Sequence, residues 1–261
     1  MFEIATEAVL LLMAAAFLAG IIDSIAGGGG LITVPALLLA GLDPVAALAT
    51  NKVSGACGSG SATLTYASKG MVDLRNQWPS ALAAAAGGVL GAAFATILPS
   101  EWLSAALPAI LILTALYFAL KPNLDDIDRT SRMTPFLFGI TVVPAIGFYD
   151  GLFGPGAGSF FMIGFVSLLG YGVLKATAHT KLLNFGSNIG SLITFILAGA
   201  ILWKLGLAMG AAQFLGARLG SSMAVRIGAR LIKPLLIVVC VALAVRLLAD
   251  PANPLRAALG F

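Results

Sequence analysis

Long apolar runs without a charged residue recur along the chain and constrain its fold more than any other feature. Residues 78–98 and 102–120 form two of these runs. Each approaches the roughly 20 apolar residues that an α-helix needs to cross about 30 Å of hydrocarbon. Of the 261 residues, 59% are hydrophobic and 10% are charged, whereas soluble domains have about 25% charged residues. The runs therefore predict an all-α integral membrane protein embedded in a lipid bilayer.

Charge and cysteine usage argue against several other classes of protein. The first basic residue is Lys52, so a cleavable signal peptide is not predicted and the first apolar segment is expected to remain. The basic residues are scattered, so the net charge of +4 forms no patch for nucleic acid. Cys57 and Cys240 both lie in apolar surroundings. Neither a disulfide framework, a metal site nor a cofactor motif is predicted.

Eight to ten apolar segments are predicted, and two of them are too short to cross a membrane. The segments lie at about 4–22, 30–41, 44–68, 77–98, 102–120, 135–149, 158–170, 172–198, 205–226 and 231–249. The second and seventh are the short ones, and each follows a glycine cluster, AGGGG at 26–30 or FGPGAG at 153–158. A glycine-broken helix followed by a short half-helix is therefore predicted twice.

The two halves of the chain align with each other. Asp23, Gly27 and Gly29 fall on Asp150, Gly154 and Gly156 when the chain is shifted by 127 positions. From there the shift becomes 129, which places Lys52 on Lys181. We predict one transmembrane transport domain over residues 1–261, with repeat one at 1–120, a polar linker at 121–134 and repeat two at 135–261.

The distribution of basic residues favours an inverted repeat. Cytoplasmic loops are enriched in Lys and Arg. In the first half, Lys69 and Arg75 mark the loop between the third and fourth segments. In the second half, the later loop has the excess, with Arg226, Arg230 and Lys233. The same loop is thus expected on opposite sides of the membrane in the two halves, as in inverted-topology transporters.

Lys52 and Lys181 are the strongest candidates for a functional site. Each lies about nine residues into its segment, or about 13 Å along a helix, near the bilayer centre. A charge at that depth costs at least about 2.5 to 3.5 kcal/mol, so it is a functional-site hypothesis by default. The alternative is that each lysine neutralises a buried aspartate, Asp23 or Asp150, and only holds the fold together.

Other polar residues near the lysines have two interpretations each. Asn51 and Thr180 precede the lysines and offer hydrogen bonds to an oxyanion, and Thr50 is a weaker candidate. Ser187 and Asn188 are also weak candidates, because small polar residues at this spacing more often indicate close helix packing. Cys57 is either a sulfur-exchange group or, as is usual for a lone buried cysteine, a small hydrophobic residue.

Proton coupling has three candidates, the single histidine and the two aspartates. His179 lies within one helical turn of Lys181 and either titrates during a transport cycle or donates a hydrogen bond as a neutral ring. Asp23 and Asp150 precede the glycine breaks, where each can cap the next helix, pair with a lysine or relay protons. The repeat does not separate these roles, because a structural cap would recur equally.

These motifs together resemble the sulfite exporter TauE/SafE family of membrane permeases, which includes the YfcA-type proteins. The resemblance rests on DSIAGGGGLITVP, ALATNK, DGLFGPGAGSF and ATAHTK, and it covers essentially the whole chain. It implies a multi-pass secondary carrier in the bacterial inner membrane that moves sulfite, sulfonates or related small anions. Family members that handle thiosulfate use cysteines in the path. Only Cys57 is available here, with Gly186 at the matching position, which weakens a thiosulfate assignment.

We therefore expect an anion site near the midplane, where helix N-termini at the breaks present backbone N–H groups. The expected substrate-binding residues are Gly28, Gly29, Gly30, Asn51, Lys52, Gly156, Ala157, Gly158, Thr180 and Lys181. An anion channel lined by the same lysines is the alternative, and a membrane enzyme ranks last because no catalytic motif is present. The identity of the anion, the direction of transport, the coupling ion and a possible homo-oligomer are left open.

Overall fold

The computed structural model describes residues 6–99, 102–103, 106 and 127–227, and these residues form eight long helices and no strand. The helices are α1 (Thr6–Ala26), α2 (Gly30–Leu39), α3 (Pro44–Ser68), α4 (Leu74–Ile97), α5 (Pro135–Leu152), α6 (Ala157–Leu168), α7 (Val173–Leu197) and α8 (Trp203–Ile227). The predicted all-helical fold is confirmed. The predicted segments at 102–120 and 231–249, and linker residues 121–126, lie almost entirely outside the described residues.

Both predicted glycine breaks are present. Gly27 ends α1 with a left-handed φ of 84°, and α2 begins three residues later. Gly154 and Gly156 take φ values of 85° and 83° between α5 and α6. L-residues with a side chain rarely adopt these angles, so the glycines stop each helix. The half-helices α2 and α6 have 10 and 12 residues, about half the length that crosses a bilayer.

The positions of the two aspartates differ slightly from the prediction. The sequence placed the ends of the first and sixth segments at residues 22 and 149, just before Asp23 and Asp150. The structure extends both helices, so that each aspartate lies in the last turn of α1 or α5. Each side chain is therefore held by a helix that points toward a break.

Local sequence also explains where three of the helices begin. Asp43 accepts hydrogen bonds from Val45 N and Ala46 N at the start of α3, both at 3.1 Å. Asp73 caps α4 and Thr134 caps α5 in the same way. Such side-chain acceptors satisfy N–H groups that have no partner within the helix. The caps therefore fix the ends of three helices independently of the central site.

Among the described residues, three helices, α1, α4 and α5, are long and apolar enough to cross a membrane by length and composition. Helices α3 and α7, with 25 residues each, contain the buried lysines and pack against each other. The half-helix α2 packs on α1 and α3, and α6 packs on α5 and α7. Each half-helix therefore lies between the helix before its break and a lysine-bearing helix.

The fourth helix of each predicted repeat packs mainly on the other half of the chain. Helix α4 contacts α5 and α7, whereas α8 contacts α1 and α3. Gly87 and Gly91 of α4 lie against the Pro144 and Phe148 carbonyls of α5, and in the other half Gly216 and Gly220 lie against those of Phe17 and Ile21. These matched contacts follow the sequence shifts of 127 and 129. They are consistent with two inverted repeats, while the domain boundaries stay a prediction.

The close approach of α4 and α5 makes a testable prediction about Gly91. A Cβ atom there would overlap the Phe148 carbonyl oxygen, which belongs to rigid helical backbone. We expect Gly91→Ala to lower the free energy of unfolding by about 1–3 kcal/mol, as overpacking does. Thermal unfolding of the purified protein in detergent measures the change.

Gly139→Ala in α5 is the matched control, because its added Cβ would meet Ser80 Oγ at 3.3 Å and no backbone atom of a neighbouring helix among the described residues within 4 Å. Helix propensity favours alanine over glycine, so this variant should be at least as stable as the wild type. Equal melting temperatures for the two variants would contradict the proposed role of the Gly91 contact.

Candidate functional site

The two helix breaks meet each other inside the protein. Ser159, in the first turn of α6, donates from its backbone N–H to Gly27 O at 3.0 Å and from Oγ to Ala26 O at 2.9 Å. A Cβ on Gly27 would overlap the backbone of Gly158, and a Cβ on Gly158 would lie 2.9 Å from Gly27 Cα. The approach therefore needs glycine at both positions, and it also joins the ends of α1 and α6.

Each buried lysine pairs with the aspartate of the other half of the chain. Lys52 Nζ lies 2.8 Å from Asp150 Oδ1 and also donates to Asp150 O at 2.5 Å. Lys181 Nζ lies 3.4 Å from Asp23 Oδ2 and donates to Asp23 O in a short hydrogen bond. Both lysines are completely buried, and the aspartates are 3–5% exposed. The two pairs cross between α3 and α5 and between α7 and α1.

These contacts satisfy polar groups at the breaks. A helix C-terminus carries partial negative charge, so an ammonium group bound to a last-turn carbonyl is favourable there. Asp23 Oδ1 accepts from Gly29 N at 3.1 Å, next to the N-terminus of α2. Asp150 Oδ2 instead accepts from Ser187 Oγ at 2.5 Å. The buried charges are therefore paired and hydrogen-bonded, as burial requires.

The pairing of both lysines with aspartates agrees with the alternative left open by the sequence, in which each lysine neutralises a buried aspartate and holds the fold together. In this conformation both ammonium groups contact carboxylates, so their charge is largely neutralised. The expectation that Lys52 and Lys181 bind an anion is not tested by these contacts and stays a proposal. Lys52 Nζ nevertheless lies 3.7 Å from the place where a Cβ of Gly154 would stand, and Gly154 lines the space between the breaks.

A small cavity of about 20 Å³ lies between the breaks, with room for roughly one water molecule. Its backbone wall is formed by Gly27, Gly30, Gly55, Gly154, Gly156 and Gly158. Its side-chain wall is formed by Asp23, Asn51, Asp150, Asn184, Asn188 and Gln213. Glycine backbone, carboxylates and four carboxamides therefore surround a single buried space.

The structure brings some of the predicted site residues to this cavity and leaves others beside it. Those that line it are Asp23, Gly30, Asn51, Asp150, Gly156, Gly158 and Asn188. Those that do not are Gly28, Gly29, Thr50, Lys52, Cys57, Ala157, His179, Thr180, Lys181 and Ser187. Several of the second group contact the first, since Lys52 and Ser187 bind Asp150 while Lys181 and Gly29 bind Asp23.

Asparagine side chains at the cavity are held by local hydrogen bonds. Asn51 Oδ1 accepts from Thr33 Oγ1 at 2.5 Å. Asn188 Nδ2 donates to Asn184 O at 2.7 Å, one helical turn earlier. These bonds use one end of each amide and orient the side chains toward the cavity that they line. Thr180, which corresponds to Asn51, is buried with no partner for Oγ1 among the described residues.

Two weaker candidates occupy helix contacts. Thr50 Oγ1 accepts from Leu202 N at 3.2 Å, ahead of α8. Cys57 is partly buried against Gly210, where an added Cβ would lie 3.0 Å from Sγ. Both contacts are with the α8 region, so packing explains these residues without a ligand.

His179 lies away from the cavity, in an aromatic cluster with Phe165 and Tyr171. Its Nδ1 atom lies 3.0 Å from Lys175 O, and this nitrogen donates in the tautomer that forms the hydrogen bond. Nearby, Lys175 Nζ pairs with Asp128 Oδ2 of the linker at 2.8 Å, and this hydrogen bond holds the pKa of the Asp128 carboxyl below its usual value. His179 does not line the cavity, and its role in proton coupling stays a prediction.

Sequence reasoning missed Gln213, and it gave no role to Gly55 or Asn184. Gln213 is one of two glutamines in the chain and lies in the middle of an apolar segment. A polar residue at that depth is rare enough to mark a site. The signal was therefore present, although it is weaker than that of a charged residue.

A larger cavity of about 500 Å³ lies at the linker, beside Arg129, Arg132 and Gly170. It is open to the surface. Residues 107–126, which precede its lining residues in the sequence, lie outside the described residues. The candidate site is placed at the smaller cavity, because the buried charges and the helix breaks converge there.

Comparison with known proteins now identifies the kind of protein to which this site belongs. The model of the sulfite exporter TauE/SafE family matches residues 12–247. The chain belongs to this family. The TauE/SafE match spans both helix breaks and both lysine–aspartate pairs, so the predicted resemblance is confirmed.

Curated relatives carry names that agree with the TauE/SafE assignment. The chain is 61% identical to the probable membrane transporter protein ORF9 of a Sinorhizobium species, over 99% of each chain. It is 45% identical to the probable membrane transporter protein YfcA of Escherichia coli K12, over 90% of this chain and 87% of YfcA. No solved structure matches it. The protein is therefore a membrane transporter of the TauE/SafE family.

The crossed ion pairs lead to a stability prediction. Lys52→Met leaves the Asp150 carboxylate buried without its ammonium partner, which typically costs about 3–5 kcal/mol. We expect the double variant Lys52→Met/Asp150→Asn to recover most of this loss, because it removes both charges. Unfolding of the single and double variants in detergent measures the difference.

Lys175→Met is the matched control, because its pair with Asp128 has side chains about half exposed. Exposed ion pairs contribute little to stability, so this variant should unfold close to the wild type. A double variant no more stable than Lys52→Met would show that charge pairing is not what position 52 supplies.

Proposed function

We propose that the protein is a multi-pass secondary transporter of the bacterial inner membrane that moves small sulfur-containing anions, such as sulfite or organosulfonates, by alternating access. The family description and the names of the relatives support transport, and the family description supports a sulfur oxyanion. The observation that carries the proposal is the meeting of two broken helices at one buried polar cavity. In known transporters, breaks of this kind form the substrate site.

The cavity has the chemistry that an oxyanion requires. The first N–H groups of a helix have no acceptor within the helix, and the N-terminus carries partial positive charge. Helices α2 and α6 both begin beside this cavity, which Gly30 and Gly158 line in their first turns. The carboxamide of Asn51 adds a donor beside them, since its Oδ1 already accepts from Thr33 and its Nδ2 group remains. An anion with several oxygen atoms would accept from both sets of groups.

The lysine–aspartate pairs set the charge near the proposed site. Two ammonium groups and two carboxylates sum to zero, which limits the cost of burying them in a bilayer. A bound anion would compete with Asp23 and Asp150 for the ammonium groups. We propose that Lys52 and Lys181 turn partly toward the substrate when it binds, and that Gly154 leaves Lys52 the space to do so.

The size of the cavity favours a carrier over a channel. A volume of about 20 Å³ is too small for a sulfur oxyanion. The helices must therefore separate for a substrate to enter, which is the behaviour of a gated carrier. In the proposed cycle, rocking of one half of the chain against the other opens the cavity to each side alternately.

Transport in liposomes tests the proposed function. We expect the purified protein to take up radiolabelled sulfite with saturable kinetics, and unlabelled sulfite inside the vesicles to accelerate uptake by counterflow. Empty liposomes and liposomes with heat-denatured protein are the controls. A single-channel conductance in planar bilayers without counterflow would support the channel instead.

Substrate affinity tests the proposed part played by Lys52. The double variant Lys52→Met/Asp150→Asn keeps the local charge at zero. Replacing the carboxylate of Asp150, which lines the cavity, should not itself weaken the binding of an anion, so a loss of binding reports the missing ammonium group. We expect a loss of about tenfold to a hundredfold in sulfite affinity, as for a hydrogen bond to a charged group. Ligand-dependent thermal shift in detergent measures the affinity.

The exposed pair again provides a matched control. Lys175→Met/Asp128→Asn removes the same charges from the start of α7 and its neighbouring linker, and it should leave sulfite affinity unchanged. Wild-type affinity in a folded Lys52→Met/Asp150→Asn variant would remove Lys52 from the proposed site and leave it a structural residue.

A further inference from the structure

Gln213 has an environment that packing alone does not explain. It lies on α8 with only 2% of its surface exposed, and it lines the cavity between the helix breaks. Its Oε1 atom has no hydrogen-bond partner among the residues that the structure describes. Buried polar atoms nearly always have a partner, and leaving one unsatisfied is unfavourable. A group that enters the cavity when the helices separate would supply the missing hydrogen bond.

The matched helix contacts show that this side chain has no counterpart in the other half. The Gln213 carbonyl lies against Gly20 of α1, and the Ala84 carbonyl lies against Gly147 of α5 in the same way. Gly20 and Gly147 are related by the shift of 127, and Ala84 and Gln213 by the shift of 129. Gln213 therefore stands where the first half has alanine, so the carboxamide is not required by this helix contact.

Space for the carboxamide comes from Gly58 of α3. A Cβ atom at Gly58 would lie 2.8 Å from Gln213 Cγ and 3.0 Å from Nε2. In the other half the matching position is Ser187, whose hydroxyl group binds Asp150. One side of the cavity thus has a serine that binds its aspartate, and the other has a glycine and a glutamine with an unpaired oxygen.

We propose that Gln213 is a substrate-contacting residue that determines which oxyanions bind. This inference rests on the proposed function and adds to it a specific ligand. The Nε2 hydrogens of Gln213 donate to an oxygen of the bound anion, and Oε1 accepts from a hydrogen carried by the substrate or by a water bound with it. Because the other half offers alanine at this position, the anion binds in one preferred orientation.

The proposal predicts that removing the carboxamide weakens binding without weakening the fold. Gln213→Leu keeps similar volume and removes the unsatisfied oxygen, so its melting temperature without anion should equal or exceed that of the wild type. Its affinity for sulfite should fall about tenfold to a hundredfold. Thermal shift in detergent over a series of sulfite concentrations gives both values, since a ligand stabilises the state that it binds.

Gln77→Leu is the matched control. Gln77 also has a buried Oε1 with no partner among the described residues, but it lies in the first turn of α4 and does not line the cavity. This variant should bind sulfite like the wild type. A second variant, Gln213→Ala, copies the residue found at Ala84 and should also lose affinity.

The outcomes separate this inference from the proposed function. If the wild type binds neither sulfite nor ethanesulfonate, the proposed function fails, and the inference fails with it. If the wild type binds sulfite and Gln213→Leu or Gln213→Ala binds it equally well, the proposed function stands and Gln213 is not a ligand. If both Gln213 variants melt well below the wild type without anion, its role is structural and the inference is overturned.

Discussion

Backbone polar groups at the two helix breaks must find partners inside the protein, because a bilayer core supplies no water. Much of the site can be understood from how the chain meets this constraint. The Asp23 carbonyl lies in the last turn of α1, and Lys181 donates to it. At the start of α2, the Asp23 carboxylate accepts from the Gly29 N–H group. One ion pair thus satisfies both sides of a break. At the other break Lys52 donates to the Asp150 carbonyl in the same way, whereas the Asp150 carboxylate accepts from the Ser187 hydroxyl.

The crossing of these pairs links local satisfaction to the packing of the whole molecule. Each lysine lies on a long central helix, and its aspartate lies on a broken helix of the other half, so neither break is complete within its own half. Helices α4 and α8 show the same exchange, because each packs on the opposite half. Relative movement of the halves would have to carry or break the ion pairs. In the proposed cycle, the substrate site and the contacts that resist rocking are therefore the same place.

Sequence reasoning predicted local features well and partners poorly. The breaks at Gly27 and Gly156 were predictable because clustered glycines destabilise a helix and readily adopt the left-handed angles that end one. The position of Lys52 and Lys181 about nine residues into α3 and α7 was predictable from the lengths of the apolar segments. Their pairing with Asp150 and Asp23 was one open alternative, since it depends on which helices touch across the fold. The packing of α4 and α8 on the opposite half of the chain was not predictable, because glycine spacing indicates close packing but does not identify the neighbouring helix.

Over the described residues the two halves share matched backbone contacts and differ in side chains at the cavity, and the difference has a physical basis. Glycines such as Gly91 and Gly216 lie against backbone carbonyls, where any side chain would overlap atoms that cannot move. Gln213, Ser187 and Asn188 instead line the cavity or bind a residue that does, and their replacement needs no movement of a helix. The glycine contacts can therefore keep the helix packing of the two halves alike while the side chains that line the cavity differ. Under the proposed function, substrate choice would depend on these few polar side chains, and of these three Gln213 is the one with a buried polar atom that has no partner among the described residues.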